Sequence, residues 1–246
     1  MIIYKEEIDS TNLEAARLAD SLPHGTVIVA DAQTAGRGRR GRNWVSRKGE
    51  NLYFSLLLKP EFAPEQASML TLVMALAVAQ GMEQVYGCTP QIKWPNDIVV
   101  NGRKVCGILT EMQMAVGAIR YVIVGVGINV NQMSFEEVGL DYASSLQKET
   151  GLCKDRKEVL ETVIERFEGL YREFCESGSL QYMKAAYEAR LVNLGLEVRV
   201  LDPKGEYTGT ALGINDQGEL LVRREDGCQE AVYAGEVSVR GLFGYV

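Results

Sequence analysis

Residues Gln66 to Met82, QASMLTLVMALAVAQGM, run without a single charge. A membrane-crossing helix needs about 20 predominantly apolar residues. This stretch falls short of that and includes Gln, Ser, Thr and Gly. It reads as a helix without a polar face, which has to be buried in a protein core. The rest of the chain must enclose it, and no membrane partner is expected.

The flanking segments supply that enclosure. GTVIVADAQ is a β-branched run, NLYFSLLLK alternates and concentrates aromatics and Leu, and AIRYVIVGVGINVN reads as a central strand. QIKWPNDIVVNGRKVCGILTEMQ reads as a hairpin around Asn101-Gly102. DSTNLEAARLAD opens with a capping box, Thr11 with Glu14, and predicts a helix that stops before Pro23. Residues 155–190 carry charges at helical spacing and predict two helices. Strands and helices thus intermix over residues 1–192, which predicts an α+β catalytic-sized unit. From Asn193 the texture changes. LEVRVLD, YTGTALGI, ELLVRR, EAVYAG and VSVR are short strands separated by turns, predicting a small antiparallel barrel over residues 193–246.

Net charge is −7, so the molecule as a whole repels nucleic acid and anionic membranes, and any basic patch must be local. The five cysteines form no CxxC pair and His24 is the only histidine, which argues against a structural zinc site or a disulfide framework. MIIYKEEIDS lacks the features of a signal peptide. A reduced, cytoplasmic enzyme or binder fits best.

The local basic patch is TAGRGRRGRNW, residues 34–44, where Arg37, Arg39, Arg40 and Arg42 stand among Gly36, Gly38 and Gly41. The glycines spell G-x-G-x-x-G, but a dinucleotide turn needs the last glycine to open a helix. Here RNWVSRKGENLYFSLLL keeps turn chemistry and becomes strand. Guanidinium groups in this number point to side-chain contacts with phosphate or carboxylate oxygens. The glycines predict a loop that is mobile when empty and folds over an anion, with Trp44 as its apolar face. On this loop alone, an electrostatic patch for RNA or DNA is an equally good reading.

KWPND combines a cation, an aromatic, a proline, an amide and a carboxylate in Lys93 to Asp97. The hairpin returns Lys104 beside the start of its partner strand, where it would meet Asp97 or a ligand carboxylate; a solvated surface pair is the bland alternative. Gly125 and Gly127 interrupt a strand that otherwise uses Val and Ile, marking close approach of a ligand or backbone, although taken alone a plain β-bulge reads better. Asn129 then offers an amide near the strand end. His24 reads as a turn residue and Cys106 as a small core residue.

In their order, STN, QTAGRGRRGRNW, KWPNDI, GRKVCGIL and VGVGINVN, followed by a small β-domain, closely resemble the biotin protein ligases. The resemblance covers residues 8–131 through motifs and the C-terminal part through pattern only. It implies ATP-dependent conversion of biotin to biotinyl-5′-AMP and pyrophosphate, then transfer of biotin to one lysine of a carrier protein in a carboxylase such as acetyl-CoA carboxylase. The implied fold is a mixed-sheet catalytic domain of the class II aminoacyl-tRNA-synthetase kind with an SH3-like barrel.

The same resemblance implies site residues. Ser10, Thr11, Asn12 and Gln33 would line the biotin ring pocket, and Arg37, Gly38, Arg39 and Lys104 would hold the biotin carboxylate and the adenylate phosphate. Arg37, Arg39, Trp44, Lys93, Asn96 and Asn129 would border the nucleotide. Arg39, Asp97 and Lys104 are the catalytic candidates. Asp97 is left with three roles: acting on the acceptor lysine as base or orienting group, orienting Lys104, or helping a magnesium ion whose ligands stay unassigned. Arg39, Trp44 and a loop at 131–141 would cover the reactive intermediate. Many relatives carry an N-terminal helix-turn-helix domain; STN begins at residue 10, so a ligase without its own DNA-binding module is expected. A sheet edge could pair with the carrier or with a second subunit in a homodimer.

Two rival readings compete with this one. A lipoate or octanoate ligase shares the fold, but its RRxxGGGxVxHD-type stretch has no counterpart, since the arginine loop holds neither a triple glycine nor a histidine. A nucleic-acid binder needs cationic surface, and the C-terminal part, acidic at intervals from Glu197 to Glu236, is not basic.

Overall fold

The structure is a computed structural model and describes residues 1–246 apart from 137, 138, 140, 203, 204, 235–237, 242–244 and 246. The uncharged segment forms α2 (Met69–Tyr86), buried along almost its whole length and closed by Gly87, whose left-handed φ of 63° lets its N–H bond Glu83. By length and composition the helical segment Pro64–Tyr86 would reach across a membrane, yet 72% of its apolar window is buried within the fold. One side of α2 lies on a sheet and another on α4 (Arg156–Ser177). At their crossing a Cβ on Gly81 would sit 2.9 Å from Val163 Cγ2, so the two backbones approach as closely as a glycine permits.

The sheet is built from β1 (Ile2–Ile8), β2 (Thr26–Gln33), β3 (Leu52–Leu58), β4 (Gln91–Lys93), β5 (Asp97–Val100), β6 (Arg103–Ala115) and β7 (Ala118–Ile128). Its order is β1-β2-β3-β7-β6-β5-β4, with β1 and β2 parallel and the other neighbours antiparallel. The β5–β6 turn has φ 52° at Asn101 and 74° at Gly102, the pair of positive values a two-residue hairpin demands. α1 (Thr11–Leu18) covers one face of the sheet, packing Ala15 and Ala19 against Ile28, Leu57 and Ile123. The other face, with Phe54, Val124 and Val126, joins the core of α2 and α4. All seven residues of β3 are therefore buried, and its alternation in sequence does not become an alternation of exposure.

After the short helices α3 (Leu146–Thr150) and α5 (Lys184–Glu188) come β8 (Glu197–Leu201), β9 (Tyr207–Ile214), β10 (Leu220–Arg223), β11 (Gln229–Val232) and β12 (Ser238–Gly241). They form a second antiparallel sheet in the order β11-β10-β9-β8-β12. Val198, Ala211, Leu220 and Val222 from this sheet belong to the same core as α2. The two parts are pinned by polar contacts as well: Trp94 Nε1 donates to the Gly218 carbonyl at 3.0 Å and Arg39 Nη2 to the Ala234 carbonyl at 2.6 Å.

Two local expectations change, and one strand has no counterpart in the sequence reading. Ser10, not Thr11, is the N-cap of α1, and no side chain caps it, because the Thr11 hydroxyl is engaged with Gln33 and Ser55. The edge strand β1 was hidden by Lys5, Glu6 and Glu7, which an exposed edge tolerates. The second helix of 155–190 shrinks to Lys184–Glu188. Of the predicted strands EAVYAG and VSVR and the loop at 131–141, residues 235, 237, 137, 138 and 140 lie outside the described residues.

Candidate active site

The site starts from missing side chains. Gly107 on β6 pairs directly with Gly127 on β7, and Gly125 lies one step along the same face. Three absent side chains leave a trough in the sheet beneath the start of α1. A Cβ at Gly125 would meet Asn12 Oδ1 at 2.0 Å, one at Gly127 the Trp44 indole at 2.5 Å, and one at Gly107 the same ring at 2.7 Å. The β-bulge reading of Gly125 and Gly127 is thus corrected: pairing with β3 is in register throughout, and the irregularity with β6 lies at Gln113/Met114. The glycines are there because Asn12 and Trp44 come close.

A slot of about 50 Å³ remains above this floor. Besides Arg37, Arg39 and Lys104, its polar wall is made of neutral hydroxyls and amides joined by hydrogen bonds. Gln33 Oε1 accepts from the Thr11 N–H at 2.8 Å and from Thr11 Oγ1 at 3.2 Å, while Gln33 Nε2 donates to Ser46 Oγ at 2.9 Å. Ser55 Oγ lies 2.7 Å from Thr11 Oγ1 and 2.6 Å from Asn12 Oδ1. Asn12 Nδ2 donates to Glu111 Oε2 at 2.7 Å, and Arg37 pairs with Glu111 at 3.2 Å. Ser10, Thr11 and Asn12 are buried. Trp44 lies over Gly107 and Gly127 with its indole N–H buried and, among the described residues, without a hydrogen-bond partner.

The arginine loop roofs the slot. Backbone bonds from Gly38 N to Arg42 O (2.7 Å) and from Trp44 N to Gly36 O (2.9 Å) close it on itself. A side chain at Gly36 would sit 2.4 Å from the Trp44 carbonyl, so this ring of backbone requires glycine there. Arg39 turns inward and gives Nη1 to Asn96 Oδ1 at 2.7 Å.

Beyond Arg39 the slot opens into a cavity of about 430 Å³. Among the described residues its lining carries the cations Arg39, Arg40, Arg42, Lys93, Lys104 and Arg240 against one carboxylate, Asp97. Lys104 Nζ is 2.6 Å from Asp97 Oδ1, so the hairpin brings this pair together in a recess, not as a solvated surface pair. Burial works against the charged form of Asp97, but Lys104 and Lys93 more than offset it and hold the carboxyl below its ordinary range. Burial also pushes the Lys93 ammonium down to about 8 despite Asp97. Asn129 follows the end of β7 and spends its Nδ2 on the Ser144 carbonyl at 2.9 Å.

Every residue that the resemblance assigns to the site lines one or both cavities: Ser10, Thr11, Asn12, Gln33 and Arg37 the slot; Lys93, Asp97 and Asn129 the larger cavity; Gly38, Arg39, Trp44, Asn96 and Lys104 both. His24 is in a turn, accepting from Lys59 N at 2.9 Å, and Cys106 is buried in the core. Ser55, Gly107, Glu111, Tyr142, Arg240 and Tyr245 were missed. Ser55 and Gly107 carried a signal, one a lone hydroxyl and the other a glycine in an apolar strand. Tyr142 and Tyr245 carried none. Among the described residues no three His, Cys, Asp or Glu side chains gather as a metal site.

Comparison with known proteins agrees with this geometry. The profile of the biotin/lipoate A/B protein ligase family matches residues 4–129, and that of the biotin protein ligase C terminal domain matches residues 194–240. A biotin--[acetyl-CoA-carboxylase] ligase from Paracoccus denitrificans is 34% identical over 238 residues, covering 95% of this chain and 98% of that protein. The bifunctional ligase/repressor BirA of Bacillus subtilis is 39% identical over 241 residues, covering 97% of this chain and 74% of its own. A structure of the biotin protein ligase from Aquifex aeolicus in complex with biotin and ATP superposes with a TM-score of 0.84 at 39% identity, covering 98% of both chains. With matches that span both sheets and nearly the full length, the chain belongs to the biotin protein ligase family.

Proposed function

We propose that the chain joins biotin to ATP, forming biotinyl-5′-AMP with release of pyrophosphate, and then passes the biotinyl group to one lysine of a biotin carboxyl carrier domain. One observation carries this reading: a slot whose inner wall is built from neutral hydroxyls and amides, with Arg37, Arg39 and Lys104 also in its lining, adjoins a cavity that among the described residues carries six cations and one carboxylate. The hydroxyls of Ser10 and Thr11 and the amides of Asn12 and Gln33, with Ser55 behind them fixing Thr11 and Asn12, match a neutral ureido ring, which both donates and accepts. Ligand pockets usually measure about 300–1,000 Å³, so the ring enters the slot of about 50 Å³ only as Trp44 swings off Gly107 and Gly127.

The valeryl carboxylate then points at Arg37, Arg39 and Lys104, with the nucleotide's phosphates beside Arg39 and Lys93 and its base toward Trp44, Asn96 and Asn129. A carboxylate oxygen attacks the α-phosphorus and pyrophosphate leaves. Two anions meet in that step, and the surrounding cations offset their repulsion while negative charge builds on the pentavalent phosphorus. In the second step the neutral acceptor amine attacks the acyl carbon and AMP departs. Because its two lysine neighbours hold Asp97 ionised, it is a weak proton acceptor, and its 2.6 Å contact favours the role of orienting Lys104. Magnesium would arrive with the nucleotide, held by its phosphates, waters and at most Asp97; such sparse protein ligation is ordinary for this ion.

Incubation with ATP, magnesium and either biotin, lipoate or octanoate, read by pyrophosphate release and by the mass of an acceptor domain, tests the reading. Biotin alone should give pyrophosphate and one biotinyl adduct on a single lysine. Turnover with lipoate or octanoate instead would replace it with the sister activity.

A further inference from the structure

Asp97 has a third partner that the mechanism leaves unused. Tyr245, beyond β12, reaches into the larger cavity and donates its phenolic O–H to Asp97 Oδ2, while Lys104 and Asn96 Nδ2 take Oδ1 at 2.6 and 3.1 Å. The phenol ring is held on its faces. It stacks on Tyr142 with centroids 4.0 Å apart and planes at 5°, and Lys93 Nζ lies 4.2 Å from its centroid. Both carboxylate oxygens are therefore occupied by directional donors, and the donor on Oδ2 sits on a ring with little freedom to turn.

We propose that Tyr245 is a positioning residue for the ligase reaction, acting through Asp97: by anchoring Oδ2 it fixes the plane of the carboxylate so that Oδ1 directs Lys104 toward the reacting carboxyl and phosphate. The proposal rests on the ligase reading and deepens it. A carboxylate held only by Lys104 and Asn96 can rotate about its Cβ–Cγ bond and carry the lysine with it; a hydroxyl on the opposite oxygen removes that freedom. Tyr142 and Lys93 keep the phenol in place, which also gives Tyr142 a reason to lie in the cavity without meeting the carboxylate. The small C-terminal part thereby supplies a side chain that orients the catalytic pair.

The test is a double-mutant cycle on the full chain. Tyr245→Phe keeps the stack and deletes only the hydroxyl. It should lower kcat for biotin-dependent pyrophosphate release about tenfold, as loss of a hydrogen bond to a charged group does, while KM for biotin stays within about twofold. Asp97→Asn in the Tyr245→Phe background should cost no more than Asp97→Asn alone, since both remove the same constraint. Tyr142→Ala, which removes the stacking partner, should lower kcat in the same direction. The thermal unfolding of the same four proteins should show the same non-additivity, a readout that needs no turnover. Additive losses in rate, an unchanged kcat, or a faster transfer to the acceptor in Tyr245→Phe would overturn the role. Wild-type protein silent toward biotin would instead sink the ligase reading and this role with it.

Discussion

Replacing Gly125 by alanine asks whether the trough in the sheet is a structural necessity. The added Cβ would lie 2.0 Å from Asn12 Oδ1 and 2.8 Å from its Cγ, where ordinary contact begins at 3.4 Å, so the amide has to retreat by about 1.4 Å (3.4 − 2.0). Asn12 is buried, accepts from Ser55 Oγ at 2.6 Å and donates to Glu111 at 2.7 Å. It cannot retreat without breaking those bonds or lifting the start of α1. Overpacking of this kind costs about 1–3 kcal/mol, and a disrupted buried hydrogen bond adds about 1 kcal/mol. A loss of about 2–4 kcal/mol corresponds to a fall in Tm of roughly 5–15 °C for a chain of this length. Biotin affinity should drop by at least about tenfold, since tenfold is about 1.4 kcal/mol. Gly127→Ala is the control. Its obstacle is the free end of the Trp44 side chain, outside any strand or helix, so stability should change by less than about 1 kcal/mol while biotin binding still weakens. Scanning calorimetry and titration calorimetry with biotin read both variants. A Gly125→Ala protein that melts within about 1 °C of the parent and binds biotin normally would refute the reasoning.

Further outcomes follow from three single residues. Lys93, brought down to about 8 by burial, is charged below that pH and neutral above it, so kcat/KM for ATP should be full below pH 8 and fall as pH rises through it; Lys93→Gln should abolish this limb of the profile. Its folded pKa lies below the unfolded value of about 10.4, so the unfolded chain binds more protons between the two; the same group should make stability rise with pH over that window, measured by urea midpoints. Trp94→Phe deletes the 3.0 Å bond to the Gly218 carbonyl and should lower stability by about 1–3 kcal/mol, seen as a lower urea midpoint at unchanged slope. Arg39→Gly removes the inward guanidinium that bonds Asn96 and the Ala234 carbonyl, and should speed escape of biotinyl-adenylate in a release assay; retention equal to the parent would contradict the covering role.

Local chemistry in the sequence carried much of this. The uncharged stretch at 66–82, the Val and Ile run of β7 and the Asn101-Gly102 turn each determine their own conformation, because period, burial and positive φ are properties of neighbouring residues. The arginine loop, KWPND and Lys104 named the chemistry of the cavity for the same reason: guanidinium and ammonium groups seek anions wherever the chain places them. What the sequence could not decide is who faces whom across the fold. By themselves Gly125 and Gly127 are compatible with a bulge, and only Asn12 and Trp44 lying over them, with Gly107 paired to Gly127, make them a floor. Tyr245 and Asp97 meet across 148 residues of chain, with nothing in either segment to announce the other. Sequence alone determined the elements and the kind of ligand they suit. Tertiary structure alone decided the close approaches, because a missing Cβ or a single hydroxyl acquires its meaning only from the distant atom that packing sets against it.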